Sequence, residues 1–172
     1  MELQIRFADH ADLSRLSRLS EETFRAAYSS FNTPEDMEAY VEANFSEKSL
    51  QRQIGKEKNK FLLALNGNEL AAYAKLSLNP AEHLNAKNPL EIARLYTSAA
   101  LIGKGIGKRM MEEILTYARG ANIDLIWLGV WQKNLKAVAF YQREGFEIAG
   151  TTAFTLGNDV QEDFVMTKQI FK

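Results

Sequence analysis

Residues 103–107 read Gly103-Lys104-Gly105-Ile106-Gly107. They stand between an extended apolar segment at residues 90–97 and an amphipathic run that begins at Ile106. A strand, then alternating glycines, then a helix start is an arrangement suited to holding phosphate. Glycine lets the backbone approach a ligand closely and adopt positive φ. The first N–H groups of a helix have no partner inside it and carry partial positive charge. Together these features form an anion site. Lys104, Lys108 and Arg109 add cationic side chains beside it. Alternating glycines alone are a weak pattern, and the flanking sequence supplies their meaning.

Working outward, the periodicity predicts strands and helices in alternation. Leu3, Ile5 and Phe7 alternate with polar residues as in a short strand, and Asp9 is placed to cap the helix after it. Thr33-Pro34-Glu35-Asp36 starts a second helix, with a capping hydroxyl, proline in the first turn and acids at the positive end. Ser46 and Glu47 open a third. Residues 61–65 and 70–78 form a hairpin about Asn66-Gly67-Asn68. Residues 79–89 form a loop, and residues 106–119 a helix that Gly120 is suited to end. Residues 125–131 are nearly all apolar, which predicts a strand covered on both faces. A helix over residues 134–144 ends at Gly145, and two last strands pair around Gly157-Asn158. With no repeat, linker or composition break, the expectation is one α/β domain over residues 1–172, a mixed sheet with helices on both faces.

Gross composition excludes several classes of function. The chain has 172 residues, 46% apolar and 25% charged, enough for one soluble domain with a real core. A formal charge of −1 gives no bulk attraction for nucleic acid. The absence of cysteine removes disulfides, thiolate ligands and a thiol nucleophile. His10 and His83 are too few and too far apart for a histidine metal site, and both read as surface residues. The first residues lack a signal pattern, and no apolar stretch approaches a membrane span. The expectation is a cytoplasmic monomer or homodimer with no metal, nucleic acid or membrane partner.

A second constellation lies at residues 134–146, Asn134-Leu-Lys-Ala137-Val-Ala-Phe140-Tyr141-Gln-Arg143-Glu-Gly145-Phe146. Asn134 is a good N-cap. Ala137 and Tyr141 follow three and seven residues on, so all three project from one helix face. A small residue between two polar ones leaves room for a molecule along that face. The plainer reading of Tyr141 is a half-buried core aromatic with its hydroxyl at the rim. Two other nucleotide motifs fail on spacing: Arg109 follows Gly107-Lys108 where a Walker A loop needs serine or threonine, and the third glycine of a dinucleotide fingerprint is missing.

Together the two segments resemble the GNAT acetyltransferase superfamily, and the resemblance extends over essentially the whole chain. Residues 102–107 match its R/Q-x-x-G-x-G/A loop except that Ile102 stands at the first position. Residues 134–146 match its N-x-x-A-x-x-[FL]-Y-x-x-x-G-F segment at every specified position. Glu22-Thr23-Phe24, the helix start from Thr33 to Met37, Trp127-Leu128-Gly129-Val130-Trp131, and a tail with Leu156-Gly157-Asn158-Asp159, Gln161 and Asp163 are similar to bacterial PaiA-type spermidine/spermine acetyltransferases.

The resemblance implies a twisted, mostly antiparallel sheet of six to seven strands and an acetyl-CoA co-substrate. Backbone N–H groups of Ile102, Gly103, Lys104, Gly105, Ile106 and Gly107 would hold its pyrophosphate, with Lys108 and Arg143 near the phosphates. The pantetheine arm would pair with Leu95, Tyr96 and Thr97 as an added strand. Asn134 would hydrogen-bond the arm, Ala137 would leave it room, and Tyr141 would protonate the departing thiolate. Glu91 is the candidate base, a carboxylate on the strand leading to the glycine loop; its plainer reading is a partner for Arg94 or a lysine. Phe24, Tyr28, Phe31, Tyr40 and Tyr73 are candidate walls for the acceptor, and Glu22, Asp36 and Asp159 candidate attractors for a polycation. The acceptor implied is a small amine, first a polyamine. Alternatives are a protein N-terminus, another small amine, or an acyl-CoA sensor without turnover.

Overall fold

The computed structural model describes residues 2–81 and 83–171. Its strands are β1 (Leu3–Phe7), β2 (Asn59–Asn66), β3 (Glu69–Ser77), β4 (Pro89–Thr97), β5 (Leu125–Trp131), β6 (Glu147–Leu156) and β7 (Asp159–Gln169). Its helices are α1 (Leu13–Tyr28), α2 (Pro34–Phe45), α3 (Glu47–Gln51), α4 (Ile106–Gly120) and α5 (Leu135–Arg143). The strands form one sheet in the order β1-β2-β3-β4-β5-β7-β6, and only β4 and β5 pair in parallel. The expected mixed sheet, mostly antiparallel and of seven strands, is the one observed.

Local chemistry explains where the elements begin. Asp9 and Asp12 make a reciprocal capping box over the short turn His10–Asp12, which leads into α1. The Thr33 hydroxyl accepts from the Asp36 N–H at 3.2 Å, with Pro34 in the first turn of α2. Ser46 caps α3 in the same way. Two sequence expectations are corrected. Pro89 belongs to β4 and not to the loop, since at the start of a strand its missing N–H removes little. Gly120 is the last residue of α4, and Asn122, at φ 55°, makes the left-handed turn. Asparagine tolerates that region better than most residues.

The two faces of the sheet are covered differently. On one face Ala72, Ala74, Leu76, Leu90, Ile92, Ile126 and Leu128 pack with Ile106, Met110, Met111 and Ile114 of α4. Each large side chain buried there stabilises by about 1.5–3 kcal/mol. On the other face Leu63, Leu65 and Tyr73 meet Leu16, Leu19 and Leu50 of α1 and α3. Phe24, Met37, Val41 and Phe45 of α1 and α2 form a third cluster with Leu156 of β6. Coverage of that second face stops short of β5. Trp127 and Trp131 are half-buried and Gly129 is exposed, so β5 is not enclosed on both sides as its apolar run suggests.

Candidate functional site

β4 and β5 run side by side for three positions only. Pro89 faces Leu125, Leu90 faces Ile126 and Glu91 faces Trp127. Just beyond, Ala93 is an extra residue in β4: Ile92 lies opposite Leu76, while Arg94 lies opposite Lys75. Such a bulge bends a strand and increases its twist. From Ile92 onward β4 keeps β3 as a partner and has no partner on its β5 side. The result is a wedge whose β4 side presents free backbone N–H and C=O groups.

The wedge opens into a cleft of about 890 Å³. Leu95, Tyr96 and Thr97 form one wall and Asn134, Ala137, Tyr141 and Arg143 another; Ile102, Gly103, Gly105, Ile106, Gly107 and Lys108 close its end. The two sequence segments, thirty residues apart, therefore meet. Lys104 and Glu91 are the predicted residues that do not line the cleft. Arg109, grouped with the cations by sequence, turns away and donates to the Leu3 carbonyl at 3.4 Å.

The glycine loop has the geometry of an anion cradle. Gly103 and Gly105 have φ of +83° and +78°, and a Cβ at either would meet nothing within 4 Å. The backbone there is strained for other residues, while the space above it is open. Gly105 caps α4 without a side chain. The first bond into the helix is Arg109 N–H to the Gly105 carbonyl at 3.2 Å. The N–H groups of Ile106, Gly107 and Lys108 thus have no acceptor inside the helix. Ile102, 70% exposed, offers no polar side chain, which leaves recognition to the backbone.

On α5, the Asn134 side-chain carbonyl accepts from the Ala137 N–H at 3.2 Å. Capping commits its oxygen and leaves its NH2 free to donate. Tyr141 is 8% exposed and packs edge-on against Phe140 and Phe146. Burial pushes its phenol well above the ordinary value, so it stays protonated. The phenol therefore carries a proton at neutral pH, and burial makes it hold that proton more tightly than a free phenol does.

The opposite face of the sheet carries a second set of groups. Cross-strand pairing puts Tyr73 beside Tyr96, Lys75 beside Arg94 and Ser77 beside Glu91. The same face continues through Trp127, Gly129 and Trp131 of β5 to Asp163 of β7. Burial raises the Glu91 carboxyl, with Lys75, His83 and Arg94 pulling it back. Burial and the Arg94 charge lower Lys75 to about 8. Among the described residues no cation lies within 4.0 Å of Glu91, so the expected pairing with Arg94 or a lysine is not a direct ion pair. Arg94 instead lays its guanidinium over the Phe45 ring at 4.6 Å, with Nη1 buried and unpartnered.

The remaining sequence candidates divide. Phe24 and Tyr73 are core residues, and Tyr40 stacks on Phe24 at 4.5 Å. Tyr28 is half-buried and Phe31 is 54% exposed against Trp131. Glu22 lies on the outer surface of α1 beside Arg18, away from the sheet. The Asp36 carboxylate contacts Gly157 at the place a side chain would occupy, joining the start of α2 to the β6–β7 turn. Asp159 accepts from Gln161 at 2.8 Å in that hairpin. His10 and His83 are exposed, as expected. In the sequence Asp163 figures only as part of the tail similar to PaiA-type enzymes, without a role. Among the described residues no three His, Asp or Glu side chains form a metal cluster, and no helix is long and apolar enough to cross a membrane.

Comparison with known proteins agrees with this geometry. The model of the "Acetyltransferase (GNAT) family" matches residues 17–146. An uncharacterized N-acetyltransferase of Lactobacillus delbrueckii subsp. lactis is 32% identical over 160 residues, 92% of each chain. Partial similarity at 28% identity extends to an N-alpha-acetyltransferase of Mycobacterium tuberculosis (64% of this chain, 73% of that one). The same identity links the chain to a spermine/spermidine N(1)-acetyltransferase of Bacillus subtilis (50% and 58%). The crystal structure of a PaiA N-acetyltransferase from Thermoplasma acidophilum in complex with coenzyme A superposes with a TM-score of 0.81. It covers 98% of this chain and 99% of that one at 24% identity, a likeness of fold.

Proposed function

The chain belongs to the acetyltransferase (GNAT) family, and from that premise we propose that it transfers acetyl directly to a primary aliphatic amine, a polyamine such as spermidine or spermine. It is an N-acetyltransferase and acetyl-CoA is its co-substrate. The observation that carries the proposal is the wedge between β4 and β5. It leaves the β4 edge free beside the cleft on the α4–α5 side, and the strands that flank it carry aromatic and acidic side chains on the opposite face.

In this reading the open glycine loop and the α4 N-terminus hold the pyrophosphate, with Lys108 and Arg143 at the rim. Lys104, outside the cleft lining, has no part in it. The free edge of β4 at Leu95, Tyr96 and Thr97 pairs with the amide groups of the arm, and the NH2 of Asn134 donates to it. Acetyl-CoA supplies the thioester. The amine nitrogen forms a bond to its carbonyl carbon, the C–S bond breaks, and the thiolate takes a proton from Tyr141. The proton shed by the new amide nitrogen returns through solvent to restore the phenol. A primary amine of pKa roughly 10 is almost wholly protonated at pH 7, and freeing its lone pair costs about 4 kcal/mol. Glu91 accepts that proton through water, from the face on which the acceptor enters.

Support for a polyamine comes from the partial similarity to the Bacillus subtilis enzyme and from the position of Asp36 and Asp159 at the α2 end and the β6–β7 turn. Acids there would attract the far end of a polycation. A protein N-terminus is the second reading, favoured by the partial similarity to the Mycobacterium tuberculosis enzyme. The test is kcat/KM for spermine, spermidine, a monoamine of similar length and a peptide with a free N-terminus, at low and high salt. The polyamines lead, and their advantage shrinks with salt. A peptide or monoamine turned over more efficiently than both polyamines overturns the acceptor and leaves the cofactor standing.

A further inference from the structure

We propose that Asp163 is the carboxylate that receives the ammonium group of the acceptor, in a small site walled by Tyr28, Phe31 and Trp131 and floored by Gly129. This rests on the amine-acceptor reading above and names the residue that would execute it.

Asp163 lies on β7 directly opposite Trp131 of β5. It is half-buried, and its Oδ1 is fully buried with no hydrogen-bond partner. Among the described residues no lysine, arginine or histidine reaches it within 4.0 Å. Burying a carboxylate with neither a donor nor a counter-ion is costly, and such groups in folded proteins have an explanation. Burial accordingly raises its pKa, with no neighbour to offset the shift. A ligand bearing a positive charge and N–H donors at Oδ2, the oxygen on the Gly129 side, would supply the missing counter-charge.

The surroundings select the same chemistry. Gly129 is the neighbouring β5 position on this face, and its missing side chain leaves room beside the carboxylate. A Cβ there would stand 3.5 Å from the Asp163 Oδ2. The Trp131 ring meets Phe31 edge-on at 5.0 Å. The Tyr28 phenol is near enough for the Asp163 charge to raise its pKa, after the larger effect of burial. Aromatic rings around a carboxylate hold an alkylammonium by charge at one end and by cation–π and apolar contact along its length. A neutral or anionic acceptor gains nothing from this arrangement. The site also lies next to the wedge, since Gly129 is two residues past the last β4–β5 pair at Trp127. An amine there is on the acceptor side of the opening through which the cleft is reached.

Binding is read without turnover. Trp127 and Trp131 are the chain's two tryptophans, so intrinsic fluorescence reports from this face. Spermidine, and separately hexylamine, is titrated into CoA-saturated protein, with calorimetry in parallel. Asp163→Asn keeps the shape of the side chain and removes its charge. It should weaken amine binding by about tenfold or more at low salt, with CoA affinity within about twofold of wild type. Gly129→Val fills the floor with a residue favoured in strands, and should weaken amine binding while Asp163 remains. If both variants hold the amine as tightly as wild type, or wild type holds neither amine, Asp163 has no such role. If wild type holds hexylamine better than spermidine and Asp163→Asn loses it, the ammonium site stands and the polyamine reading falls. A parallel loss of CoA affinity in Asp163→Asn overturns the proposal, because the residue then supports the cleft and not the acceptor.

Discussion

The two faces of the central sheet present different kinds of groups. On the α4–α5 face the cleft is made of backbone: positive-φ glycines, an uncapped helix start and a strand edge without a partner. On the α1–α2 face the proposed acceptor side offers side chains, with Lys75, Glu91, Arg94 and Asp163 set among aromatic rings. Backbone recognition requires a few residue types at fixed spacing and tolerates almost anything elsewhere. Side-chain recognition draws single residues from distant segments, and each can change without disturbing the fold. A shared co-substrate on the first face and a variable acceptor on the second fit that division.

The largest way to break the comparison is on the backbone side. Gly105→Asp places bulk and negative charge where the α4 N-terminus meets the open space above the loop. CoA affinity should fall by at least about a hundredfold, more than 2.7 kcal/mol, while circular dichroism shows the helices retained. A folded variant with unchanged affinity would mean that the loop is only a connection.

Tyr141→Phe tests the α5 wall of the cleft. Turnover should fall by about tenfold to a thousandfold, within the range of one general acid, with CoA affinity nearly unchanged. The phenol stays protonated far above neutrality, so loss of the donor should not shift the alkaline limb of the rate profile. Unaffected turnover, with chemistry shown to be rate-limiting, would reduce Tyr141 to packing.

The smallest effect belongs to Lys75, on the side-chain face. Its folded pKa, about 8, lies below the ordinary 10.5. The folded state therefore binds fewer protons than the unfolded state between those values, and stability rises with pH across that window. The penalty of holding the ammonium half-buried is fully present below about 8 and is relieved above it. Relative to Lys75→Met, the wild-type Tm should climb by about 2 °C from pH 8 to 10.5, after discounting for solvent screening. A constant difference between the two would place Lys75 in open water.

The same division explains what could be read from sequence. The glycine loop, the Asn134–Tyr141 helix face and the hairpin turns at Gly67 and Gly157 are local, and they folded as their chemistry requires. The Ala93 bulge was invisible, because it depends on which β3 residues stand opposite. Arg109 looked like a phosphate cation, yet its direction is set by the Leu3 carbonyl, 106 positions away in the chain. Glu22 looked like an acid for the acceptor, and helix phase turns it outward. The apolar run of β5 concealed the fact that Trp127, Gly129 and Trp131 share one partly open face. Asp163 acquires meaning only once β7 is known to lie beside that face.

The short contact between β4 and β5 also describes how the molecule holds together. Strands β1 to β4 form one leaf and β5 to β7 another, and within the sheet a weld of three residue pairs joins them. Within the leaves the strand pairs run for five or more positions, so the weld is the shortest pairing in the sheet. The buried core on the α4 side also spans this line, since it includes Leu90 and Ile92 of β4 together with Ile126 and Leu128 of β5. A molecule filling the cleft as proposed would touch β4 of the first leaf and α5, which follows β5, and would so lie across that seam. Loading the protein would then also tighten it, because whatever binds only the joined state stabilises the joint.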